Sequence, residues 1–198
     1  MTRWKIALVL VATVIFGVTL ASADTLQLQS APYGEAGPYL FSVNGSTTLT
    51  PLICYSDSNF ITFGETWGVT EFTISSISSN PGYFQGSTTQ YNELGYLADE
   101  LFASPGNAAI QDAIWAVFDP NLRNNTYYSQ AVSFVTSNRN YQTSDVFYIP
   151  SGAGITSLPN GVPQPFIGRA PVPEPASLLL LGSGLLAFAG AARKKLLG

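Results

Sequence analysis

The period of the apolar residues switches in mid-chain, and that switch limits the folds open to this sequence. Up to about Ser75 the period is two. Leu26-Gln27-Leu28-Gln29 alternates, and Tyr39-Leu40-Phe41-Ser42-Val43 is aromatic and β-branched ahead of an Asn44-Gly45 turn. Thr47 to Ile53 can return as a strand, with Pro51 at an edge or bulge, and Glu71 to Ser75 alternates again. After the Asn80-Pro81-Gly82 loop, Leu94, Leu97, Ala98, Leu101 and Phe102 fall on one helical stripe. Ser104-Pro105-Gly106 ends that helix. Asn107 can cap a second one, Ala108 to Phe118, stopped by Asp119-Pro120, and a third short helix fits Ser129 to Thr136. Val146-Phe147-Tyr148-Ile149 returns to strand. Strands and helices are segregated rather than alternating. The expectation is therefore an α+β domain: an antiparallel β-sheet or barrel-like β region with two to three helices inserted in the middle of the chain.

Both ends read as addresses. Arg3 and Lys5 precede an apolar run from Ile6 to Leu20, and Ala21-Ser22-Ala23 supplies the small residues of a secretory signal with cleavage after Ala23. Fifteen apolar residues are short for a membrane span, which needs about 20. At the other end Ala176 to Ala192 is uncharged, and Arg193-Lys194-Lys195 follows at once, the order that keeps a positive tip in the cytoplasm. Ahead of it stands Pro173-Glu174-Pro175. This tripartite order resembles the PEP-CTERM sorting signal of exported bacterial proteins. The resemblance implies recognition by an exosortase-type enzyme, membrane insertion through the C-terminal apolar helix before processing, and a final place at the cell surface or outside the cell. The expected division is a signal peptide over 1–23, a secreted domain over 24–149, a Pro/Gly-rich ending and linker over 150–172, and the sorting signal over 173–198.

Composition removes several functions. The chain has no histidine and one cysteine among 198 residues. A Ser-His-Asp or Cys-His site, a His-ligated metal, an internal disulfide and a four-cysteine metal site are all excluded, and no cofactor or metal is expected. The pI near 4.6 argues against nucleic acid. Between Asp24 and Val172 lie eleven of the twelve acids, three arginines (Arg123, Arg139, Arg169) and no lysine.

Two residues look misplaced. Cys54 is a lone thiol in an exported chain, set in the apolar stretch Leu52-Ile53-Cys54-Tyr55. Its bland reading is a small buried hydrophobe. Gln111 lies on the second helix with Ile114, Trp115 and Phe118 at i+3, i+4 and i+7, so its amide points to the apolar face. A buried amide without partners costs about 1–3 kcal/mol, so a partner is expected.

Cys54-Tyr55 and Ile110-Gln111-Asp112-Ala113-Ile114-Trp115 together resemble the thioester domains of bacterial surface adhesins. The resemblance implies that the Cys54 sulfur and the Gln111 side-chain carbonyl join as an internal thioester, with Tyr55, Ile114, Trp115 and Phe118 shielding it from water. An amine on a surface partner would then capture the acyl group. Each molecule would react once, as an adhesin rather than an enzyme. With no histidine available, Asp57, Asp112, a tyrosine or a helix N-terminus would have to assist the thiol.

Two other classes compete. A glycosidase needs two carboxylates about 5–10 Å apart. Glu65, Glu71, Asp57 and Glu93 are candidates without a motif, and Asp99-Glu100 reads as a solvated helix face. A passive extracellular matrix or carbohydrate-binding protein, in a bacterium that makes extracellular polysaccharide, would use some of the 10 tyrosines and 12 phenylalanines for stacking. Asp57-Ser58-Asn59 lacks the glycine and downstream glutamate of a calcium loop and reads as a turn.

Overall fold

The computed structural model describes residues 24–152, 155, 158, 160–170, 183 and 184. Six strands, β1 (Asp24–Ser30), β2 (Tyr39–Val43), β3 (Leu49–Cys54), β4 (Thr66–Thr73), β5 (Val146–Pro150) and β6 (Phe166–Gly168), close into a barrel in the order β1-β2-β3-β6-β5-β4. Every neighbouring pair is antiparallel. Between β4 and β5 the chain builds α1 (Thr88–Ala103), α2 (Ala108–Ala116), α3 (Thr126–Ser137) and three 3-10 helices.

This corrects the expected α+β arrangement with two to three helices. The sheet closes completely, and six helical segments stand among the described residues where two or three were expected. The closing strand is the reason for the first difference. β6 is three residues long and sits in the Pro/Gly-rich stretch read as linker, too short to show an alternating pattern. It fits between β3 and β5 by pairing Ile53 with Ile167, Cys54 with Phe166 and Tyr148 with Phe166. The extra helical segments are 3-10 stretches of three to six residues started by local signals, such as Pro81 and Pro120 at the first positions of the two shorter ones.

Side chains alternate across each strand, so the barrel has two apolar faces to bury. Inward, Phe41, Trp67 and Phe166 meet, with Phe41 and Phe166 ring centroids 4.7 Å apart. Outward, Ile53, Phe147, Ile149 and Ile167 join one cluster with Tyr91, Leu94, Leu97, Leu101, Ile110 and Ile114 of the helical layer. Burying each such side chain contributes about 1.5–3 kcal/mol, enough to fix which face of the barrel the helices cover.

The helices start where their caps stand. Ser87 and Gln90 form a reciprocal capping box on α1, and the Gln90 amide also donates to the Val117 carbonyl at 3.1 Å. Asn107 caps α2 through Ala109 N and Ile110 N. Asn125 caps α3 while donating to the Ala109 carbonyl at 2.9 Å, which ties α3 to α2. The turn into α2 uses Gly106 at φ +79°, a conformation that side chains disfavour, and its N–H donates to the Gly37 carbonyl. α2 therefore begins against the loop between β1 and β2.

The connection from β3 to β4 links strands that are not neighbours in the barrel. It runs from Tyr55 to Glu65 and is held to the β5–β6 loop by Asn59 donating to the Val162 carbonyl and Asn160 donating to Thr62 Oγ1. Phe60 and Phe63 on it are exposed.

The expected signal-peptide residues Ala21 and Ala23 lie outside the described residues, as do Pro173, Glu174, Pro175, Arg193, Lys194 and Lys195. Among the described residues no helix is long and apolar enough to cross a membrane.

Candidate functional site around Cys54 and Gln111

Cys54 is the last residue of β3. Period two puts it on the same side as Leu52, facing the barrel interior, where the Tyr39 hydroxyl lies 3.8 Å from its sulfur. The thiol is buried, 1% exposed, and unpaired. The Tyr39 hydroxyl in turn donates to the Glu35 carbonyl, so its oxygen is the group available to the thiol proton.

Gln111 sits one turn into α2, itself 1% exposed. Its side chain spans the gap between α2 and the barrel rim. Oε1 accepts from the Gly37 N–H at 3.0 Å. Nε2 donates to the Cys54 carbonyl at 3.0 Å and lies 3.8 Å from the Cys54 sulfur. The buried amide thus has its partners, and both come from the strand region. Gly37 is clamped from two sides, because its carbonyl takes the Gly106 N–H while its N–H points at Gln111. A Cβ at Gly37 would stand 3.2 Å from Gln111 Oε1 and 3.3 Å from Ile53 Cγ1. That tight approach is what lets the backbone N–H reach the amide oxygen.

Electrostatics hold the thiol neutral. Burial pushes its pKa up to about 11, while the indole N–H of Trp115 and the hydroxyl of Tyr39 pull the other way and the Asp57 charge adds to the rise. The Trp115 Nε1 is buried and makes no well-formed hydrogen bond. Burial raises Tyr39 well above the ordinary tyrosine value, so it acts as a neutral hydroxyl. Asp112, a sequence candidate for assisting the thiol, is exposed on the outer side of α2. Asp57 opposes thiolate formation rather than favouring it.

The structure brings Cys54, Gln111 and Trp115 together, with Tyr55 and Phe118 beside them. The Tyr55 ring lies 5.8 Å from Phe118 and 6.1 Å from Tyr91. Ile114 is fully buried in the helical cluster. Gly37 and Tyr39 were not singled out from sequence, and nothing local marks them: their roles come from contacts with residues 74 and 15 positions away.

The acids considered for hydrolysis have other surroundings. Glu71 interacts with Asp24 and Tyr148, Glu93 is buried with the charge of Arg123 nearby, and Glu65 accepts from the Thr62 N–H. Asp57 lines a cleft of about 180 Å³ with Tyr55, Trp115, Phe118 and Asp119.

The arrangement sets a neutral thiol 3.8 Å from the nitrogen of an amide whose oxygen is held by a backbone N–H. The flanks are apolar and exclude water.

Residues 171–194 match the PEP-CTERM protein-sorting motif. The chain is therefore an exported protein carrying a signal for exosortase-type processing. Beyond this motif no curated protein and no solved structure matches the chain, and the resemblance to thioester domains rests on no such match.

Proposed function

We propose that this exported protein forms a thioester between Cys54 and Gln111 and uses it for covalent attachment to an amine-bearing partner at the surface. The observation that carries the reading is the Gln111 amide suspended between the Gly37 N–H and the Cys54 sulfur. In the forming step the sulfur attacks the Gln111 side-chain carbon. The thiol proton and the amide NH₂ leave as ammonia, and the Gly37 N–H stabilises the charge that develops on Oε1. In the capture step an amine attacks the same carbon. An amide bond forms to the partner, the carbon–sulfur bond breaks, and Cys54 regains its proton. The protein is consumed once, so it is an adhesin-like reagent rather than an enzyme. Because the described domain lacks lysine, no lysine amine of a sibling's described domain can quench the acyl group.

The test is intact mass of the purified protein before and after methylamine. The reading predicts a mass one ammonia below that of the sequence and one methylamine adduct, both lost in Cys54→Ala and Gln111→Ala. An unshifted mass with a titratable thiol would overturn it. That outcome would favour a passive matrix role, for which the exposed Phe60 and Phe63 offer stacking surfaces.

A further inference from the structure

The cleft beside Trp115 continues into a second one of about 140 Å³ lined by Tyr83, Tyr91, Ile149, Val162 and Pro163. Tyr55, Gln85 and Pro165 line both, so the two form one bent groove with Tyr55 at the junction. The halves differ in chemistry. The first holds the carboxylates of Asp57 and Asp119. The second is walled mainly by tyrosine rings, prolines and aliphatic side chains, and its Asn59 amide is already spent on the Val162 carbonyl.

Two buried donors beside the groove make no well-formed hydrogen bond. Tyr55 is 4% exposed, and its hydroxyl approaches that of Tyr91 without a well-formed hydrogen bond. Trp115 Nε1 is the other, and Trp115 is the residue that both lines the groove and neighbours the Cys54 sulfur.

We infer that this groove is the recognition site for the amine partner. It takes an extended polypeptide segment, with a lysine ammonium between Asp57 and Asp119 and the neighbouring apolar side chain in the Tyr83–Val162 half. The covalent outcome of this docking rests on the thioester reading; the docking itself does not. Charge complementarity favours a cation in the first half, and the apolar, proline-walled second half favours a side chain over a sugar, whose hydroxyls would find few free partners there.

The test separates the two ideas. Cys54→Ala protein keeps the groove and lacks the sulfur. It is titrated, by tryptophan fluorescence, with the acetylated and amidated pentapeptide Ala-Phe-Lys-Phe-Ala and with glucosamine oligosaccharide. The inference expects saturable peptide binding that weakens about tenfold when Asp57→Asn and Asp119→Asn are added. The Asp119→Asn change keeps the Oδ1 that accepts from the Asn121 N–H, so the local turn survives it. No binding, equal binding by both proteins, or preference for the oligosaccharide overturns it. In parallel, protein with Cys54 intact is treated with hydroxylamine, a small nucleophile that is uncharged at neutral pH. A missing hydroxylamine adduct counts against the thioester alone, while the Cys54→Ala titration still judges the groove.

Discussion

The Gly37 N–H donates to Gln111 Oε1 at 3.0 Å across 74 residues of sequence. That one bond joins the loop between β1 and β2 to the helix that carries the amide. It also fixes the amide so that Nε2 lies 3.0 Å from the Cys54 carbonyl and 3.8 Å from the Cys54 sulfur, and the rim of a barrel and one helical turn thus meet at these two side chains.

Gly37→Ala tests that bond. The added methyl would press on Gln111 Oε1 and Ile53. Such crowding costs about 1–3 kcal/mol of stability. Displacing an oxyanion donor slows the chemistry by about 10²-fold. Time-resolved intact mass after refolding, beside a thermal melt, should show delayed ammonia loss larger than the stability loss explains. Unchanged kinetics would remove Gly37 from the reaction.

Trp115→Phe and Tyr39→Phe each remove a group that lowers the Cys54 pKa. In Gln111→Ala protein, where no thioester can form, alkylation should be slow at neutral pH and rise toward about 11. Either added substitution should move that rise to higher pH. The native pKa lies above the unfolded value, so the thiol's contribution to stability is complete below the unfolded pKa and is lost as pH rises through about 11. A thiol that titrates as in an unfolded peptide would contradict this environment.

Glu71 gives a second pH signature. Partial burial, and then the neighbouring Asp24 carboxylate, raise it to about 7. Its protonated form is favoured by the fold, so its stabilising contribution is present below the ordinary glutamate pKa and fades as pH rises from there through about 7. Glu71→Gln should flatten denaturant midpoints across that window. The measurement needs residues ahead of Asp24, so that no terminal ammonium sits beside the pair.

Gly95→Ala tests how α1 is seated. A Cβ there would come 2.3 Å from Thr143 Cβ, and Thr143 is pinned by Asn92 and Asp145. Alanine's better helix propensity, worth about 1 kcal/mol, is outweighed by the clash. A net loss of about 1–3 kcal/mol is expected as a lower urea midpoint at constant slope. A higher midpoint would mean that the 143–145 segment yields easily.

The elements that were legible in the sequence are those whose signals are local. α1 shows its stripe and α2 its Asn107 cap. Cys54 and Gln111 stood out because each breaks a local rule: a lone thiol in an exported chain and an amide on an apolar face. Pro51 also has a local meaning, standing where β3 pairs with β2 alone, before β6 joins at Ile53. What stayed hidden depends on distant parts of the chain. β1 pairs with β4 through Leu26 and Trp67, and β6 is recognisable as a strand only because β3 and β5 leave a gap of its width. Gly37 and Tyr39 matter only once the barrel rim has brought them to α2 and β3.

The closing stave of the barrel has a mechanical consequence. β6 ends at Gly168, and the sorting motif begins three residues later. A pull on the tail is delivered first to a three-residue strand whose partners on one side are Ile53 and Cys54. Tension would peel that stave and strip β3 at the position of the thiol. A bond from Cys54 to Gln111 would act as a rivet across this seam, passing the strain from the sheet into the helical layer. The same two atoms that could fasten the protein to a partner would then decide how hard its tether can be pulled before the barrel opens.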